Sequence, residues 1–279
     1  MAGLHKNILL RVLWGLFFIP ALILIAYEGR FYFLILTELG IGIGVYEFYK
    51  ILEARGLKPY KFLGTLAALL IGWTAYYTSY FFTFLVLTSL ILILSVSELT
   101  RKTAEGAIFH MSTTVFGIFY VAWLMSHLVQ LRELPRFLHL NYKLGMGYAL
   151  LPFLIAWTND TFAFIGGVCY GKHKLIPRIS PGKTWEGTIT GLIFTVVATF
   201  LFKEYCASYL SIFDCVILSV VGSILGLIGD LVESLLKRDV DIKDTSGAIP
   251  GHGGVLDRFD SVLFVAPFVY YYLRSFVLK

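Results

Sequence analysis

The sequence predicts an all-α integral membrane protein, a polytopic bundle of about nine transmembrane helices with its N-terminus cytoplasmic and its C-terminus outside. Three observations lead there. Of 279 residues, 58% are hydrophobic and only 15% are charged, whereas water-soluble domains carry about 25% charged residues. That composition excludes a cytosolic enzyme, a disordered chain and a nucleic-acid binder, even though the formal charge is +5. Nine apolar runs reach or approach the roughly 20 residues a helix needs to cross about 30 Å of hydrocarbon. Finally, lysines and arginines concentrate on one side of the resulting topology.

In chain order the runs are Ile8 to Tyr27, Phe31 to Tyr49, Phe62 to Thr78, Tyr80 to Ser97, Ala107 to Val129, Met146 to Cys169, Gly187 to Phe202, Ile212 to Val232 and Ser261 to Leu278. The first follows Lys6 like a signal core, but it is longer than one and lacks a small-x-small cleavage site, so it reads as a span. The third and fourth are parted only by a few uncharged residues around Ser79, which predicts a tight helical hairpin. Nine spans put Lys6, Arg11, Lys50, Arg55, Lys58, Lys61, Arg101, Lys102, Lys172, Lys174, Arg178, Lys183, Lys237, Arg238, Lys243 and Arg258 on the side of the N-terminus, leaving seven basic residues opposite. By the positive-inside rule that side is the cytoplasm. Cys169, Cys206 and Cys215 form no CxxC pair, and their odd number argues against a disulfide framework.

Some motifs carry no chemistry. Gly40, Gly42 and Gly44 lie inside an apolar run with no preceding strand, which suits a close helix contact better than a dinucleotide loop. Gly182-Lys183-Thr184 ends like a Walker motif, but Pro177 stands where the earlier glycine belongs. The sequon at Asn159 sits at the inner end of a span, out of reach of glycosylation.

Polar residues gather in two islands. In the first, Asp230 and Glu233 are three apart and so share a helix face, on nearly the same stripe as Gly222, Gly226 and Gly229. Helix packing explains the glycines, but carboxylates at that depth need a partner or a cation. Pro250-Gly251-His252-Gly253-Gly254 follows, a turn whose amides can approach an anion; then come Asp257, Arg258 and Asp260 at a helix start. A helix cap would use one acid, whereas two can converge on a hard cation such as Mg²⁺. Asp239 and Asp241 read as a solvated loop. The second island holds Lys172, His173, Lys174, Arg178, Ser180, Lys183 and Glu186 ahead of the seventh run, where cations and a helix N-terminus together form a phosphate seat. Topological bias alone accounts for Lys172, Lys174 and Arg178; Lys183, among turn residues, is the better ligand. Asp160 lies near the same end of the sixth run, so all these groups face the cytoplasm. Together they suit a metal-bound polyphosphate beside a lipid.

The pattern Ser234-Leu235-Leu236-Lys237-Arg238, Lys243-Asp244, Pro250-Gly251-His252-Gly253-Gly254 and Leu256-Asp257-Arg258-Phe259-Asp260 resembles the signature of the phosphatidate cytidylyltransferases, or CDP-diacylglycerol synthases. Ser180-Pro181-Gly182-Lys183-Thr184 with Glu186-Gly187, and Asp160 with Ala163 and Gly166, agree with it, while Phe164 stands where the family usually has tyrosine. The resemblance implies CMP transfer from CTP to phosphatidate, giving CDP-diacylglycerol and pyrophosphate, in phospholipid biosynthesis at a bacterial inner membrane. It implies Mg²⁺, K⁺ as a second cation, and a homodimer. By matching position, Asp230, Asp257 and Asp260 are the implied metal centre, with Asp230, Asp257, Lys183 and Lys237 catalytic. Asp160, Ser180, Lys183, Ser234, Arg238, Lys243, Asp244, His252, Gly253, Gly254 and Arg258 are the implied substrate contacts. Residues 1–145 would then be scaffold and dimer contacts, and 146–279 the catalytic half of one membrane domain.

The phosphatidate phosphate is already anionic, so it can attack the α-phosphorus of CTP without a strong base, and catalysis reduces to positioning and charge neutralisation. His252 either moves a proton or donates to a phosphate. Two rival readings share parts of the pattern: another CTP-dependent lipid-phosphate enzyme, namely a polyprenol kinase or archaeal-type CDP-lipid synthase, and a secondary transporter. A transporter would show paired broken helices in two halves.

Overall fold

The structure, a computed structural model, describes residues 16–242 and 254–278. Lys243, Asp244, His252 and Gly253 lie outside the described residues. Nine helices occur among them: α1 (Leu16–Glu28), α2 (Arg30–Ala54), α3 (Lys61–Tyr76), α4 (Tyr80–Leu99), α5 (Ala107–Phe137), α6 (Leu144–Tyr170), α7 (Trp185–Cys206), α8 (Ile212–Asp239) and α9 (Leu256–Tyr272), the last running on as a wider π-turn through Leu273–Val277. Within the described residues, each of the nine apolar runs thus contributes one helix, the first of them from Leu16.

Six of them, α2 and α4 to α8, are long and apolar enough to cross a membrane; α1 and α3 are shorter apolar helices. At about 1.5 Å per residue, the 16 residues of α3 reach about 24 Å, short of the hydrocarbon core. Among the described residues, six helices thus meet the length and composition needed to cross a membrane, with α1 and α3 as shorter apolar helices beside them. The hairpin expected at Ser79 is present: Ser79 caps α4, its hydroxyl accepting from the Phe82 amide, and Thr74 bonds Thr83 across the turn at 2.8 Å.

The all-α reading holds for the bulk of the chain, with one short strand pair added among the described residues. Lys174–Ile176 (β1) and Ser180–Thr184 (β2) pair as an antiparallel hairpin. Charged and turn residues here have no apolar stripe to bury, and β2 feeds directly into α7, whose first turn is capped by the Thr184 hydroxyl accepting from the Gly187 amide at 3.2 Å.

One cluster of buried apolar side chains runs from Leu22 on α1 to Leu273 beyond α9. Helix α7 joins the bundle differently: its buried positions are Gly187, Gly191, Thr195 and Thr199. A methyl on Gly191 would stand 2.6 Å from the Asn159 carbonyl oxygen of α6. Likewise, a Cβ on Gly229 of α8 would lie 2.5 Å from the Asp260 carbonyl oxygen of α9. Only hydrogen at these two places lets the backbones approach so closely, and that approach sets Asp230 beside Asp260. Gly229→Ala should accordingly force α8 and α9 apart, lowering stability by about 1–3 kcal/mol; an unchanged midpoint in thermal unfolding of the purified protein would contradict this packing.

Candidate active site

Four elements meet at one end of the bundle: the C-terminal part of α6, the hairpin, the C-terminal end of α8 and the start of α9. Between α6, β2 and α8 lies a cavity of about 340 Å³ lined by Asp160, Ser180, Gly182, Lys183 and Asp230 on its polar side. Its other wall is apolar, with Phe164, Val168 and Leu227. Phe164 and Val168 are 73% and 71% exposed, so the cavity borders the surface that faces lipid.

The Lys183 ammonium approaches Asp230 Oδ2 to 2.5 Å, and the Ser234 hydroxyl donates to the other oxygen of Asp230 at 3.3 Å. One helical turn further along α8, Lys237 Nζ donates to Asp257 Oδ1 at 2.8 Å and lies 3.5 Å from Glu233. Asp257 also accepts the Gly254 amide at 2.7 Å, which holds the segment leading into α9 against the first turn of that helix. Asp160 accepts from the Ser261 hydroxyl at 3.1 Å, which ties α6 to α9. The Asn159 amide reaches the Ser223 carbonyl at 3.4 Å and ties α6 to α8.

Acids outnumber bases here. Asp160, Asp230, Glu233, Asp257 and Asp260 feel one another's charge, against Lys183 and Lys237. Glu233 is fully buried, with its carboxyl in hydrogen-bonding reach of those of Asp257 and Asp260, and its nearest cation is the Lys237 ammonium at 3.5 Å, too long for a good hydrogen bond. Carboxylates packed together in a low-dielectric site repel strongly unless a proton or a cation lies among them. This all-oxygen donor set suits a hard divalent cation, although among the described residues no three such groups are gathered into a finished ligand shell.

Of the residues singled out from the sequence, the structure brings Asp160, Ser180, Lys183, Asp230, Ser234, Lys237, Gly254, Asp257 and Asp260 to this end. Arg238 points elsewhere: its Nε donates to the Ile179 carbonyl on the hairpin at 3.4 Å, because its place on α8 is rotated away from Asp230 and Lys237. The Arg258 side chain is exposed on the first turn of α9. The phosphate seat before α7 is also changed. Lys172, Lys174 and Arg178 are exposed, and the loop amides of Lys172 and His173 are taken by Glu186, which also holds the His173 ring at 2.6 Å. Of the four lysines and arginines in that segment, Lys183 is the one that lines the cavity.

Two contributors come from the N-terminal half. Glu47 of α2, only 2% exposed, accepts the Val255 amide at 3.2 Å and the Leu256 amide at 2.8 Å, so it holds the start of α9 from 208 residues away. Tyr120 sits on the wide π-turn Ile118–Trp123 of α5, close enough to feel Glu233, Asp260 and Asp230. Insertions of this kind in helices recur at functional sites. An acid inside an apolar run, a signal Glu47 shares with Glu38, was available in the sequence; nothing there marked the π-turn. Glu47→Ala should unseat Asp257 with α9 and reduce turnover about tenfold to a hundredfold, while Glu47→Gln, which retains one acceptor, should recover part of it. Equal turnover of wild type and Glu47→Ala would show that α9 needs no such anchor.

A cavity polar on one side and apolar on the other, at one end of a bundle of long apolar helices, places the candidate site of a membrane protein at the edge of its bundle. The chain belongs to the cytidylyltransferase family, whose profile matches residues 9–276. It is 30% identical over 269 residues to phosphatidate cytidylyltransferase 4, chloroplastic, of Arabidopsis thaliana, an alignment covering 88% of this chain and 68% of that protein. It is 42% identical over 144 residues to the phosphatidate cytidylyltransferase of Haemophilus influenzae, covering half of each. The Staphylococcus haemolyticus protein of that name is 46% identical over 123 residues, 44% of this chain and 47% of that one.

Proposed function

We propose that this protein is a phosphatidate cytidylyltransferase of a bacterial plasma membrane, with its site on the cytoplasmic side. It joins CTP and phosphatidate into CDP-diacylglycerol and pyrophosphate. The observation that carries this reading is the Lys183–Asp230 pair set in a cavity whose opposite wall is the exposed Phe164 and Val168. Such a cavity can hold a phosphate headgroup while its acyl chains stay in lipid, avoiding about 0.8 kcal/mol for each methylene moved into water.

In the reaction, an oxygen of the phosphatidate phosphate bonds to the α-phosphorus of CTP, and the bond to the β-phosphate oxygen breaks to release pyrophosphate. No side chain serves as nucleophile. Lys183 and Lys237 neutralise phosphate charge, and the Gly254 and Glu47 contacts fix α9 so that Asp257 faces α8. Asp230, Asp257 and Asp260, with Glu233 beside them, are the residues that would hold Mg²⁺. When bound, that ion screens the phosphates from one another and from the carboxylates. A homodimer fits the exposed α4, of whose apolar window only 17% is buried within the chain.

The test uses purified protein, phosphatidate and CTP labelled at either the α- or the γ-phosphorus. Label from the α-position is expected in the lipid and label from the γ-position in pyrophosphate; γ-label in a lipid would make the protein a kinase, and no labelled product would return it to the transporter class. Chelation of divalent cations should abolish product, and readdition of Mg²⁺ should restore it.

A further inference from the structure

A second cavity, of about 520 Å³, lies at the opposite end of the bundle, where α1 meets α2, α3 ends, and α5 turns into α6. Its lining is Arg30, Phe31, Tyr76, Arg136, Leu140 and Tyr142. No carboxylate lines it. We propose that this cavity is a second lipid site, which seats the phosphate headgroup of an anionic phospholipid from the leaflet opposite the candidate active site.

The charge pattern is the first argument. The sequence leaves seven basic residues for this side of the membrane, and Arg30, Arg132, Arg136 and Lys143 are four of them. They are gathered at one place instead of scattered. The nearby acids are Glu28 and Glu38, neither of which lines the cavity, Glu38 packing instead against Gly72 one turn before Tyr76, and Glu133, which is already engaged. Positive potential therefore remains for an anion.

The walls are also built. Glu133 is 1% exposed and holds both flanks: it accepts the Tyr142 hydroxyl at 2.5 Å on one oxygen and Arg136 at 3.2 Å on the other. Arg136 lies over the Tyr76 ring at 4.8 Å. The Tyr142 hydroxyl accepts the Arg30 amide at 2.7 Å, and its ring stacks on the fully buried Arg132 at 4.1 Å. Arg30 is exposed and makes no ion pair among the described residues, so its guanidinium has donors to offer.

A lipid, and not a free anion, is the favoured source because the rim is aromatic. Phe31 stacks on Tyr76 at 5.1 Å, with Trp73 and Tyr77 alongside and each near half exposed. Rings of this kind at helix ends mark the headgroup layer, where one edge is apolar and the other wet. Arginine forks match phosphate oxygens, and the volume lies within the range of small-ligand sites.

The experiment is native mass spectrometry of the full chain in detergent, titrated with dioleoyl phosphatidylglycerol, with dioleoyl phosphatidylcholine or with inorganic phosphate. Wild type should retain phosphatidylglycerol more tightly than phosphatidylcholine. Arg30→Gln should weaken that retention about tenfold while leaving CMP transfer unchanged. Asp257→Asn, inactive at the other end, should retain phosphatidylglycerol like wild type. Equal retention by Arg30→Gln and wild type would overturn the proposal, as would loss of retention in Asp257→Asn alone. Phosphate binding as tightly as the lipid would assign the cavity to a soluble anion, and a change in oligomeric state on Arg30→Gln would assign it to a second copy of the chain; either result also overturns it.

Discussion

Asp257→Asn should lower CMP transfer about a thousandfold, which corresponds to about 4 kcal/mol of transition-state stabilisation. The substitution keeps size and shape but removes a charge on which several contacts converge: Lys237 at 2.8 Å, the Gly254 amide at 2.7 Å and the neighbouring Glu233 carboxyl. Asparagine can still hold the Gly254 amide, since its side-chain oxygen accepts as a carboxylate oxygen does. The loss should therefore appear in turnover with little change in thermal stability, and the divalent-cation requirement should move to higher concentration. Labelled CDP-lipid formation across a Mg²⁺ titration reads both. Near-normal turnover at ordinary Mg²⁺ would remove Asp257 from the proposed charge centre.

Lys183→Met should lower kcat/KM by a factor of about 10²–10³. Methionine keeps the length and flexibility of the stem but leaves Asp230 facing Asp160 and Asp260 without its nearest counter-charge. The pair is partly open to solvent, 21% and 27% exposed, so its worth to folding is modest. Its expected role is with a phosphate, which would take the ammonium from Asp230 on binding. Initial rates at varied CTP and varied phosphatidate should show which substrate loses affinity. Unchanged kinetics for both would mean that Lys183 only pairs with Asp230.

The two lysines serve different acids, and that division is a product of folding. Lys237 is four residues beyond Glu233 on the same helix, so their proximity follows from helix geometry. Lys183 reaches Asp230 across 47 positions of chain because β2 and α8 border one cavity. Arg238 stands next to Lys237 in sequence yet faces the hairpin, since adjacent helical residues point about 100° apart. Adjacency in a motif thus says little about sharing a site.

By itself the sequence determined the membrane character, the nine helical runs and the presence of an acidic and basic centre in residues 160–260, because composition and apolar run length are local properties that a bilayer reads directly. Spacing of three or four likewise settled that Asp230 and Glu233, and Asp257 and Asp260, share helix faces. Tertiary structure alone decided that a β-hairpin presents Lys183, that Glu47 anchors α9 from the other half of the chain, and that Tyr120 is turned toward the acids by a π-turn. Each of those depends on which backbones can approach, as Gly191 and Gly229 permit for α6–α7 and α8–α9, and close approach is set by contacts between segments far apart in the chain, to which no local pattern is sensitive.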